Sequence, residues 1–207
     1  LDDLGFYAAS ARPGTAPLVR DDGGDIAGEI ARTRRDDPDA LILVFPHWSG
    51  SRNYRWATDE MRQMNDRLLA AGADLVIGHG AHLMQEVAVS DRGTTVFSLG
   101  NFVFNSPGRY EKGRIPGFSF VARLDLGCVG GQPTGRLRLY PIASNNRQTG
   151  FRPRPVTEDE MLMLVAVLSA RSVLADFGTD LMIEQDHRGY YLEFPGPLCP
   201  RLKAARV

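Results

Sequence analysis

The sequence is poor in the features that assign a protein quickly. Two cysteines, Cys128 and Cys199, among 207 residues make no disulfide framework and leave the redox compartment open. The longest apolar run, residues 161–168, falls far below the roughly 20 residues that a bilayer-spanning helix needs. Neither sign of charge dominates: 24 Lys and Arg face 25 Asp and Glu, so bulk charge points to no nucleic-acid partner. No internal repeat or low-complexity tract stands out. The chain opens Leu1-Asp2-Asp3, with no Met and no basic-then-apolar leader, and is expected to begin in mid-domain. What remains is an ordinary globular composition, 43% hydrophobic and 24% charged, in a chain long enough for one domain with a real core.

Periodicity and breakers divide that domain. Residues 1–22 read as loop, with Pro13, Gly14 and Pro17 as breakers. Residues 25–35 carry Ile26, Ile30 and Ala31 at the spacing of a short amphipathic helix. The apolar run 40–45 predicts a buried strand. Thr58 is placed to cap a helix running to Ala71, with Asp59 and Glu60 in its first turn, Gly72 past its end, and Met61, Met64 and Leu68 inward. Residues 74–78 predict a second buried strand. Residues 84–90 and 94–98 flank the turn signal Asp91-Arg92-Gly93 and predict a hairpin. Residues 118–126 and 135–142 alternate as antiparallel strands do. A helix is expected over 157–171, and a last hairpin over 180–194 around Asp186-His187-Arg188-Gly189.

The unit strand 40–45, helix 58–71, strand 74–78 implies a parallel pair. Parallel strands end on one edge of a sheet, where ligand sites of open α/β sheets lie. His47 follows the first strand, and His79 and His82 follow the second, so three of four histidines are expected at that edge. Gly78 and Gly80 flank His79 and let the backbone turn sharply there. The return strand of the 84–98 hairpin brings Ser98-Leu99-Gly100-Asn101-Phe102 to the same edge, which makes Asn101 a candidate polar neighbour of the histidines. Neutral imidazole is the commonest protein metal ligand, and three protein ligands with an open position make the usual catalytic zinc site. His47, His79 and His82 are therefore candidate metal ligands. A hydrogen-bonded loop histidine is the bland alternative for each taken singly, and His187, in a hairpin turn, is read as exposed and structural.

Other chemistry is weaker. Ser49-Gly50-Ser51 and Ser98 lack the strand–nucleophile–helix context of a serine hydrolase, and Gly130-Gly131 is followed by no phosphate-loop helix. Nine Lys or Arg lie in residues 105–155 (Arg109, Lys112, Arg114, Arg123, Arg136, Arg138, Arg147, Arg152 and Arg154), against Glu111 and Asp125. They offer an anion-attracting surface, but their spacing puts them on more than one face, which favours solvated outward positions.

The order and spacing of His47-Trp48, of 71–79 (Ala-Gly-Ala-Asp-Leu-Val-Ile-Gly-His), of His82 and Gln85, and of Ser98-Leu99-Gly100-Asn101-Phe102 resemble the poly-γ-glutamate capsule biosynthesis (CapA) family of calcineurin-like metallophosphoesterases. The likeness covers about residues 25–125, and 152–156 with the following helix is similar to the family's C-terminal region. The resemblance implies one α/β domain over 1–207, a metallophosphoesterase-like sandwich of mixed sheets flanked by helices, with its N-terminal half missing and with C-terminal strands and helix over 126–207. It implies two divalent metal ions (Mn, Fe or Zn), His47 and His79 serving one and His82 the other, with Asn101 as a catalytic neighbour. The implied substrate is anionic, a phosphate ester or polyglutamate. The implied activity of the complete protein is metal-dependent phosphoester hydrolysis tied to capsule biosynthesis; the compartment is left open, with envelope association implied only for full-length family members.

Departures from the family pattern touch the pocket. Ser49 replaces a Gly, Tyr54 is out of register, Gly80-Ala81 replaces His-Pro, and Met61 stands where Gln is usual. The family's Gly-Asp and Asn-Asn-His motifs do not occur in the chain, and no carboxylate is expected at the histidine edge to bridge two metals: Asp74 sits at the far end of its strand and Glu86 on the outgoing hairpin strand. The 207 residues alone are therefore expected to self-associate and to lack chelator-sensitive phosphatase activity. Two rivals stand beside this reading: a non-catalytic, polymer-binding member of a capsule synthesis or export assembly, and a mononuclear three-histidine zinc site.

Overall fold

Val76 faces one way and its neighbours Leu75 and Ile77 the other, yet all three are buried. A strand covered on both faces explains the unbroken apolar run in the sequence. A computed structural model describes residues 26–48, 53–105, 107–129, 132–171, 173–174 and 182–194. The loop expected over 1–22, Ser49-Gly50-Ser51, Gly130-Gly131, Cys199 and the start of the last hairpin at 180–181 lie outside the described residues.

The elements in order are α1 (Ile26–Asp36), β1 (Leu43–Val44), α2 (Asp59–Ala71), β2 (Leu75–Ile77), β3 (Val87–Ser90), β4 (Gly93–Val96), α3 (Tyr110–Gly113), β5 (Phe118–Val129), β6 (Gln132–Ala143), α4 (Asn146–Thr149), β7 (Arg154–Pro155), α5 (Glu158–Ser169), β8 (Val173–Leu174), β9 (Met182–Asp186) and β10 (Gly189–Phe194). The first sheet has the order β1-β2-β4-β3-β8. It is mixed: β1, β2 and β4 run parallel, β3 returns antiparallel to β4, and β8 is parallel to β3. The second sheet, β5-β6-β10-β9 with β7 beside β6, is antiparallel throughout.

The two sheets face each other across one apolar core. Leu75, Ile77, Val87, Val89 and Val96 of the first sheet meet Phe118, Phe120, Leu137, Leu139, Leu192 and Phe194 of the second, with Met161, Leu164 and Leu168 of α5 in the same cluster. On the outer face of the first sheet, Ile30 of α1 and Met61, Leu68 and Leu69 of α2 cover Val76, Trp48 and Phe97. The architecture is thus α/β, two sheets flanked by helices, as expected.

Local chemistry sets the helix ends. Thr58 caps α2 by accepting from the Met61 amide, and Gly72 ends it in the left-handed conformation. Thr157 and Glu160 close a capping box on α5. At the amino end of β2, the buried Asp74 carboxylate accepts from Arg34 Nη2 at 2.6 Å and from the Ile42 amide at 2.8 Å. That pair ties α1 to the first sheet and confirms Asp74 at the end of its strand away from His79.

The strand expected over 40–45 contracts to Leu43–Val44, and it is not buried: Leu43 is 43% and Phe45 56% exposed. Its one sheet neighbour among the described residues is β2, and the Ile42 amide is taken by the Asp74 side chain rather than by the ladder. The hairpin at 84–98 forms, with ladder pairing over β3 and β4 and a further bridge between Met84 and Leu99.

Candidate functional site

Because β1, β2 and β4 are parallel, their carboxyl ends meet at one edge of the first sheet. The ladder runs on past the strands there. His47 and His79 form a parallel bridge, Trp48 donates its amide to the His79 carbonyl at 3.0 Å, and Leu99 donates to the Gly78 carbonyl at 3.0 Å. His47 and His79 are thereby set side by side, with ring centroids 4.7 Å apart and planes at 84°. Phe45 stacks on the other face of this pair, 4.5 Å from the His79 ring.

Gly78 and Gly80 each make that packing possible. A Cβ on Gly78 would collide with the Phe97 carbonyl and with the Trp48 indole, which donates to that same carbonyl at 2.7 Å. At Gly80, with φ +104°, a Cβ would lie 2.6 Å from the Trp48 carbonyl oxygen and 3.0 Å from His47 Nε2. The His79 imidazole is held below its ordinary pKa, first by burial and then by the neighbouring His47. It therefore stays neutral at and below neutral pH to a greater degree than a free histidine, the state in which a ring nitrogen donates its lone pair.

His82 does not join this pair. Its backbone is left-handed, φ +64°, a conformation that a non-glycine residue holds at a cost of about 1–3 kcal/mol and that clusters at functional sites. The turn aims its ring elsewhere: Nδ1 lies 2.8 Å from Asn101 Oδ1, Tyr54 stacks on the ring at 5.4 Å, and Phe104 packs at 4.9 Å. An amide oxygen only accepts, so Nδ1 carries the proton and Nε2 the lone pair. Asn101 Nδ2 donates to the Tyr110 hydroxyl at 3.3 Å, and that hydroxyl donates to the His82 carbonyl at 3.0 Å. Ser144 and Ser119 continue the chain of hydroxyls, at 3.2 and 2.8 Å. Burial raises the Tyr110 phenol above its ordinary pKa, so it keeps the proton it donates.

The spacing of the histidines suggests convergence on a single centre; the geometry instead gives a pair, His47 and His79, and a separate His82 with Asn101. Among the described residues no three of His, Cys, Asp and Glu gather closely enough to hold a metal ion. The donor chemistry of the pair still suits a divalent transition metal, since two adjacent neutral imidazoles are two of the three or four ligands such ions take. Two carboxylates next to strands of this sheet in sequence have other partners. Asp74 is bound to Arg34, and the buried Glu86 is paired with Arg62 near the start of α2. His187 sits exposed in the β9–β10 turn.

Several residues of the site escaped the sequence reading. Tyr110 and Ser144 carry no motif signal, and Tyr54 is displaced from the register expected of it. Its place is fixed by its amide, which donates to the Ala81 carbonyl at 2.7 Å, and Gln85 steadies the same loop by donating Nε2 to the Arg55 carbonyl at 2.7 Å. The basic residues of 105–155 do not form a free patch: Arg123 pairs with Asp125, Arg136 and Arg138 with Glu193, and Arg154 with Glu160. The other five of the nine are exposed or point outward on loops and short helices.

With this geometry in place, comparison with known proteins is informative. Residues 3–106, about half of the chain, match the family described as bacterial capsule synthesis protein PGA_cap. A PGA biosynthesis protein CapA of Bacillus subtilis (strain 168) is 31% identical over 157 residues, which are 76% of this chain and 37% of that protein. A capsule biosynthesis protein CapA of Bacillus anthracis is 34% identical over 65 residues, 31% of this chain and 16% of that protein. The chain thus spans a little over a third of the length of the first relative. The matched stretch includes His47, His79, His82 and Asn101.

Proposed function

Since this chain belongs to the bacterial capsule synthesis protein family, we propose that the protein it represents acts in capsule or poly-γ-glutamate biosynthesis as a metal-dependent, phosphoesterase-like hydrolase. The observation that carries the proposal is the His47–His79 pair, two imidazoles at 84° and 4.7 Å on the carboxyl edge of the parallel strands, one of them kept neutral by burial.

In this reading His47 and His79 hold one divalent ion and His82, through Nε2, a second, each completed by ligands from outside the described residues. Bound metal supplies Lewis acidity toward a phosphoryl oxygen and a lowered pKa for water. The rest falls to the chain. Asn101 fixes the His82 tautomer and orients its ring. Phe45 packs on the His79 ring and Phe104 on the His82 ring, and each restricts the imidazole it touches. The substrate class is an anionic phosphate ester, with polyglutamate as the polymer the pathway handles.

The test is elemental analysis of purified His47→Ala, His79→Ala, His82→Ala and His187→Ala variants of the full-length protein, with hydrolysis of a generic phosphomonoester in added manganese. The first three are expected to lose metal and chelator-sensitive turnover; His187→Ala is expected to keep both. Equal metal content in all four would remove the site, and metal binding without turnover would leave a non-catalytic, polymer-binding role.

A further inference from the structure

Asn101 contacts the His82 imidazole, but Asn101 does not choose its own orientation. Its amide can flip, and a flipped amide would offer a donor to Nδ1 and reverse the tautomer. The group that decides is buried next to it. Tyr110 is 2% exposed, and its ring is wedged edge-on against Tyr54 at 5.4 Å, between Ala81 and Leu83. Its hydroxyl gives its one proton to the His82 carbonyl at 3.0 Å. It then has only lone pairs left, and those can accept from Asn101 Nδ2 but cannot satisfy Asn101 Oδ1. The flipped amide would thus set two acceptors against each other in a buried site, leaving both without a donor. The same donation pins the carbonyl of a residue held at φ +64°. One hydroxyl therefore fixes both the backbone and the ring of His82.

We propose that Tyr110 is a positioning residue of this site: by donating to the His82 carbonyl and accepting from Asn101, it holds His82 as the Nδ1–H tautomer with the Nε2 lone pair available to a ligand. Ser144 acts one step further out. With Tyr110's proton committed, Ser144 Oγ accepts nothing from the phenol; its own proton goes to the phenol oxygen at 3.2 Å, to Ser119 Oγ at 2.8 Å or to the Gly117 carbonyl at 3.3 Å, so its loss leaves both Tyr110 contacts with His82 and Asn101 in place. The proposal rests on the reading of His82 as a ligand only for its purpose, not for its geometry.

The experiment is long-range 1H–15N correlation of the full chain labelled with 15N-histidine, at a pH where the imidazoles are neutral, beside zinc titration of the same samples. Wild type and Ser144→Ala are expected to show His82 as the Nδ1–H tautomer. Tyr110→Phe removes only the hydroxyl and is expected to shift His82 toward Nε2–H and to weaken zinc binding by about tenfold or more, the usual scale for a lost ligand-orienting partner. A Tyr110→Phe protein with the wild-type tautomer overturns the proposal, as does a wild type in the Nε2–H form. Should Tyr110→Phe not fold, the wild-type spectrum decides: a Tyr110 hydroxyl proton protected from exchange, with a nuclear Overhauser effect to the Asn101 amide protons, is expected, and its absence overturns the proposal. A wild type that shows the expected tautomer but binds no zinc sinks the metal reading alone.

Discussion

Gly80 shows how tightly single residues hold the candidate site. Its φ of +104° and the 2.6 Å from a would-be Cβ to the Trp48 carbonyl oxygen leave no room for a side chain. Gly80→Ala should lower the urea midpoint by an amount equivalent to about 1–3 kcal/mol, and should separate the His47 and His79 rings enough to change their NMR shifts; an unchanged midpoint would show that the loop relaxes freely. The sequence made the glycine, the histidine pair and Asn101 legible, because each follows a predicted strand at short range. Tyr110 and Ser144 were not legible. Tyr110 reaches His82 from 28 residues away and Ser144 reaches Tyr110 from beyond β6, and no local pattern encodes such contacts. The sequence brings His82 to the same edge as His79, but spacing does not reveal the positive φ that turns its ring toward Asn101.

Among the elements, the helices were the easiest to read. Caps are local chemistry, and the Thr58 and Thr157 caps lie where residue type alone put them. The one-turn pieces α3 and α4, and the two-residue β7 and β8, carry too few residues for a period to show. The α5 capping box gives a test with a pH sign. Glu160 is held below its ordinary pKa, first by hydrogen bonds from Arg154 and then, against some desolvation, by the Thr157 amide. A carboxylate depressed in the folded state adds stability that is present above its unfolded pKa and is lost as pH falls through the folded value. Thr157→Ala should therefore cost about 1 kcal/mol near neutral pH, and the advantage of wild type over Glu160→Gln in thermal melts should shrink on acidification below the ordinary glutamate range. An advantage that is constant from neutral to acid pH would show that the ionised side chain contributes nothing.

At the scale of the whole molecule, one core joins both sheets and α5, which predicts a single cooperative transition. Leu164 is fully buried in that core. Leu164→Ala should cost about 2–5 kcal/mol, with tryptophan fluorescence and far-UV circular dichroism moving together. Two separated transitions would mean that the sheets unfold as independent units. The sheet order was only partly legible: the alternation in β5 and β6 announced antiparallel strands, but nothing local shows that β4 rather than β3 lies beside β2.

That order has a consequence for how the gene can vary. The carboxyl ends of β1, β2 and β4 gather the histidines and Asn101, while the opposite edge carries Asp74 with Arg34 and the β3–β4 turn at Asp91 and Arg92. Chemistry and anchorage occupy opposite poles of the same three strands. Drift at the anchoring pole shifts abundance and leaves the histidine edge intact; drift at the other pole alters that edge in a protein that still folds. A lineage of such proteins is free to vary its histidine edge without first rebuilding what holds it together.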